Sequence, residues 1–67
     1  MDENKREADK QRRLIRHDAY VMTKQAFRLI MAAVDHAPAI ELDELLADVQ
    51  DSVNSLETSI EALREIE

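Results

Sequence analysis

From Leu14 to about His36, apolar and small residues recur at Ile15, Ala19, Met22, Ala26, Leu29 and Ala33. Their 4-3-4-3-4 spacing draws one continuous seam along a helix. After Pro38 the pattern resumes without a fault: Leu42, Leu46, Val49, Val53, Leu56, Ile60 and Leu63 follow a 4-3-4-3-4-3 spacing. Glycine is absent, Pro38 is the one proline, and β-branched residues never form an alternating run, so helix is the only regular structure with a signal. The pattern therefore predicts an all-α fold, a helical hairpin with helices at about 14–36 and 41–66 and a turn at about 37–40.

Pro38 places the break, because the residue before a proline is pushed out of the helical region. Glu41, Asp43 and Glu44 then lie against the positive end of the second helix dipole. With no glycine for a left-handed cap, the turn is expected to use extended conformations. A loop this short makes the helices antiparallel neighbours. Setting His36 opposite Glu41 brings Leu14 near Leu63 and leaves residues 1–11 overhanging. Residues 1–13 carry no apolar stripe, and the pattern predicts a charged, fraying arm there.

One neighbour cannot cover the first helix. Projected at about 100° per residue, its seam fills one sector, and Ile30, Val34, Phe27, Tyr20 and Met31 fill a second beside it, together with Arg12 and Arg16. The second sector is expected to form the core of a homodimeric four-helix bundle, or to dock a different protein in part. The expected dimer or hairpin core is Ile15, Met22, Leu29, Ile30, Val34, Leu46, Val49, Val53, Leu56, Ile60 and Leu63. A partner would meet Arg12, Arg13, Arg16, Tyr20, Phe27 and Met31, arginine and tyrosine being enriched at binding hot spots. Ser52 and Ser59, with Leu45 and Ile66 on the same row, allow a close helix approach on another side of the second helix.

Composition sharpens this picture. A chain of 67 residues without cysteine has a thin stability margin and no disulfide to widen it, so association with a second copy is the expected remedy. The net charge is −6, which argues against general affinity for nucleic acid or anionic membrane. Residues 1–40 carry eight Lys/Arg against six Asp/Glu, and residues 41–67 one Arg against nine acids.

The basic cluster Lys10, Arg12, Arg13, Arg16 and His17 has three readings: neutralising Glu61, Glu65 and Glu67 at the far end of the second helix, meeting an acidic patch of a partner, or contacting RNA or DNA phosphates. The acids Glu41, Asp43, Glu44, Asp48 and Asp51 read as a solvated face, with phosphate mimicry as the alternative.

Chemistry of the chain's own is not expected. Phosphate-cradling turns need glycine, and structural zinc needs paired Cys/His ligands, whereas His17 and His36 stand far apart. Each has an aspartate neighbour in sequence, Asp18 and Asp35, expected to point elsewhere on the helix. The reading is a non-enzyme without cofactor or metal. The start of the chain lacks a signal-peptide pattern and no run reaches membrane-spanning length, which leads to the expectation of a cytoplasmic protein.

In architecture, residues 14–66 resemble the Rop type of plasmid copy-number regulator. That resemblance implies a dimeric bundle; it rests on no motif and carries no RNA-binding residue onto this chain. In size, acidity and spare apolar face the chain also resembles small helical inhibitors encoded by bacteriophages, such as the quorum-sensing anti-activator of Pseudomonas phages. What this implies is a small regulator that sequesters a larger host protein, a transcriptional activator among the possibilities. The alternative is a dimer holding nucleic-acid phosphates at the basic start of the first helix.

Overall fold

The computed structural model describes residues 2–67, with the backbone alone described at Asp2. Two helices, α1 (Asp2–Val34) and α2 (Ala39–Ile66), make an all-α hairpin measuring 53 × 14 × 11 Å, and no strand occurs among the described residues. They run antiparallel: Arg12 near the start of α1 meets Glu67 just past the end of α2, and Gln25 meets Ser52 midway.

The first helix starts at Asp2 rather than at Leu14, so its boundary needs correcting. Residues 2–13 contain no helix breaker, and charged and amide side chains four apart sustain the turns, as where the Gln11 amide donates to Glu7 at 3.0 Å. Ala8 is buried, at 7% exposure. A search for an apolar stripe misses such a segment. Met1, the first residue of the expected arm, lies outside the described residues.

The turn also differs from the extended form expected. His36 takes a left-handed conformation, φ 61°. The Ala37 N–H donates to the Ala32 carbonyl at 3.0 Å and the His36 N–H to the Ala33 carbonyl at 3.2 Å. This is the Schellman closure, made with histidine where glycine is usual. It satisfies two carbonyls that the end of α1 would leave open. Pro38 is extended (φ −66°, ψ 154°), and its carbonyl receives the N–H groups of Glu41 and Leu42 at 3.0 and 3.1 Å. No side chain caps α2.

The helices meet along rows rotated from those the apolar spacing favours. On α1 the buried and half-buried positions are Ala8, Gln11, Ile15, Asp18, Met22, Gln25, Leu29 and Ala32, with Ala19 and Ala26 on one side of them and Val21 on the other. On α2 they are Leu42, Leu45, Val49, Ser52, Leu56, Ser59, Leu63 and Ile66, with Val53 and Ala62 at the sides. Ile15, Met22, Leu29, Val49, Leu56 and Leu63 thus sit in the hairpin seam as expected. Leu46 and Ile60, of the expected α2 seam, do not, at 42% and 43% exposure; Ile30 and Val34, expected in the second sector of α1, are 58% and 63% exposed in the hairpin.

Close approach explains the rotation. Ser59, 8% exposed, and Ser52 leave room for α1 to come near, and Ser52 donates to the Gln25 side-chain oxygen. Turning the serine row inward gives that pair its hydrogen bond and leaves the bulkier Leu46–Val53–Ile60 row on the flank.

Candidate functional site

Which flank a residue occupies follows from its angle, about 100° per residue. On α1, Ala19, Ala26, Ala33 and Ile30 lie to one side of Met22; on α2, Val53, Leu46 and Ile60 lie to the corresponding side of Val49. Antiparallel helices reverse the sense of rotation and face each other, so equal offsets fall on one side of the pair. The opposite side bears this out, for Asp18, Gln25, Asp48, Asp51, Ser52 and Ser55 together line a shallow polar groove there. One broad side of the hairpin carries this polar groove, with Leu14 and Val21 at its α1 edge, and the other is a band of alanine, leucine, valine and isoleucine.

Tyr20, Phe27 and Met31 stand farther round α1, pointing away from α2, at 61%, 61% and 43% exposure. The Lys24 ammonium lies over the Tyr20 ring, 5.0 Å from its centre, an exposed cation–π contact worth about 0.5 kcal/mol. Beside Phe27, the side chains of Thr23, Lys24 and Arg28 outline a shallow hollow. Arg12, Arg13 and Arg16 line a second hollow with Asp9, about three and a half turns toward the start of the helix. The six expected partner-binding residues therefore form two neighbouring patches along α1.

Among the arginines, Arg12 pairs with the Glu67 carboxylate, and both side chains are about half exposed. Arg13 and Arg16 reach no carboxylate within 4.0 Å among the described residues, and neither do Glu61 and Glu65 reach a cation. Neutralisation by the acidic end of α2 thus involves one arginine of the three.

One expectation about the histidines needs correcting. His17 Nδ1 stands 3.3 Å from Asp18 Oδ1, so these side chains do meet, the short aspartate folding back along the helix surface. The His17 side chain is 72% exposed, and among the described residues no further polar group completes the pair. Among the described residues no group of three or more His, Cys, Asp or Glu is placed to hold a metal ion, and no helix is long and apolar enough to cross a membrane.

Chemically, then, the surface offers an apolar band, aromatic side chains beside cations, and two arginines without carboxylate partners. No family model matches the chain, and no curated protein or solved structure is detectably similar to it.

Proposed function

We propose that the chain is a non-enzymatic regulatory hairpin that pairs with a second copy across its apolar band, forming a four-helix bundle, and binds a larger protein through the outer edge of α1. The observation that carries this reading is the amount of surface left open. The hairpin exposes 5445 Å², whereas a compact protein of 7.7 kDa exposes about 4,300 Å². Among the described residues, none of the large side chains is fully buried. The exposed side chains include the large apolar Tyr20, Phe27, Ile30, Met31, Val34, Leu46 and Ile60, whose surface water disfavours by about 25 cal/mol per Å².

Two different needs divide the surface. Ala26, Ala33, Ile30, Leu46, Val53 and Ile60 form a band matching a second hairpin, with a footprint of about 40 × 20 Å, or about 800 Å² per partner, the usual size for a stable interface. Tyr20, Phe27 and Met31, with Arg13 and Arg16, lie on the outer edge of such a bundle. Rigid aromatics beside arginines are what protein hot spots are made of. The partner they fit is a larger protein with an apolar groove rimmed by acids, a transcriptional activator among the candidates, and holding that groove closed is how a chain this small would inhibit it.

Sedimentation at a series of concentrations tests the pairing, and a stable monomer throughout would exclude it. For the outer edge, a tagged dimer should retain one dominant protein from a bacterial lysate and release it when Tyr20→Ala and Phe27→Ala are introduced. Retention unchanged by both substitutions would rule out this edge as the binding site.

Arg13 and Arg16, without carboxylate partners among the described residues, support a second reading, in which Arg12, Arg13 and Arg16 hold nucleic-acid phosphates. Binding of duplex DNA or structured RNA that falls steeply with salt and is lost with Arg13→Ala and Arg16→Ala would favour it over the protein partner.

A further inference from the structure

The two helices carry opposite charge, and this bears on how two copies would meet. Along α1 there are eight basic against five acidic side chains, net +3; along α2 there is one basic against eight acidic, net −7. Two hairpins stacked band to band have two symmetric arrangements. If the two-fold axis runs parallel to the helices, the turns share one end and each α1 lies over the second copy's α2. If the axis crosses the helices, the turns point to opposite ends, α1 lies over α1, and α2 over α2.

We propose that the copies pair with their turns at the same end, α1 of each over α2 of the other. This inference rests on the pairing proposed above and adds its geometry. Neighbouring helices in this arrangement always differ in charge, +3 beside −7. The crossed arrangement sets −7 beside −7 along the whole length of α2. Helix axes in such bundles lie about 8–10 Å apart, comparable to the Debye length of about 8 Å at physiological salt, so charges that meet at the seam are only partly screened.

Local positions agree in part with the helix totals. Arg12 and Arg16 lie on the flank of α1 that borders the apolar band, and Glu57 and Glu61 lie on the corresponding flank of α2 together with Arg64, the one cation of that helix. The hairpin register, fixed by Gln25 against Ser52, sets Arg16 level with residues 61 and 62. With the turns together, Arg16 of one copy therefore comes beside Glu61 of the other, twice per dimer. Arg16 has no carboxylate partner within 4.0 Å among the described residues. The alanine row Ala19, Ala26 and Ala33 meanwhile faces the large row Leu46, Val53 and Ile60 of the second copy, small against large.

The absence of cysteine makes the geometry directly measurable. A nitroxide attached at Asp35→Cys, an exposed position at the turn, reports the separation of the two turns by pulsed dipolar spectroscopy. The expected separation is about 20 Å, roughly the diagonal of the bundle plus the label arms; the crossed arrangement gives about 40 Å, the overlapping length of the helices. The exposed Ala39→Cys serves as a second label site against a local effect of the first. Sedimentation of the same samples separates the failures. A dimer with both labels near 40 Å overturns the orientation and leaves the pairing standing, whereas a monomer overturns both.

Discussion

Replacing His36 by glycine and, separately, by valine tests the turn that sets the whole hairpin. His36 holds φ 61°, a region where a side chain with a Cβ costs about 1–2 kcal/mol relative to the right-handed form, the lower figure applying to histidine, which enters it more readily than most residues. Its side chain is exposed, so few contacts are lost by removing it. Glycine relieves about 1 kcal/mol of strain and gives back part of that through the greater freedom of the unfolded chain, a net gain of about 0.5 kcal/mol. Valine, β-branched, adds about 1 kcal/mol of strain. For a domain of this size that corresponds to a Tm about 2–4 °C higher with glycine and about 4–8 °C lower with valine. Far-UV circular dichroism melts at matched chain concentration measure both, the matching being necessary wherever association contributes to stability. An extended turn predicts the reverse order, since glycine would then only lose entropy and valine would be tolerated. If glycine lowers Tm and valine leaves it unchanged, the left-handed cap is wrong.

Three other substitutions probe the packing and the surface. Ser59→Leu should destabilise the hairpin by about 1–3 kcal/mol in urea denaturation, because the close approach of α1 leaves no volume there, while Ser59→Ala should change little. Arg12→Ala should cost no more than about 1 kcal/mol, and that difference should vanish in high salt, as expected for a half-exposed ion pair with Glu67. Leu46→Lys with Ile60→Lys should convert a dimer to a monomer in sedimentation and leave the isolated hairpin's turn intact; a dimer that tolerates both changes would show that the band is not where the copies meet.

How far the sequence could be read depends on which force shapes each feature. Helix class, the break at Pro38, the antiparallel register and the excess of apolar surface on α1 all follow from local rules: the absence of glycine, the exclusion of the pre-proline residue from the helical region, and the 3.6-residue period. The helical start from Asp2 escaped a search for apolar stripes because charged and amide side chains sustain it. The signal that finds it is negative, the absence of any breaker between Asp2 and Leu14. The surface residues Arg12, Arg13, Arg16, Tyr20, Phe27 and Met31 were legible as exposed candidates, but their division into two patches required the register and angle of the folded pair.

By itself, then, the sequence determined that this chain is two helices joined at Pro38 with more apolar surface than two helices can hide. Only the tertiary structure decided which of two adjoining rows on α2 turns inward. Spacing ranks Leu42, Leu46, Val49, Val53, Leu56, Ile60 and Leu63 as the seam because hydrophobicity is counted one helix at a time. Packing is a property of the pair: the smaller Ser52 and Ser59 let α1 approach, Ser52 hydrogen-bonds Gln25, and Leu46 and Ile60 are left on the outside.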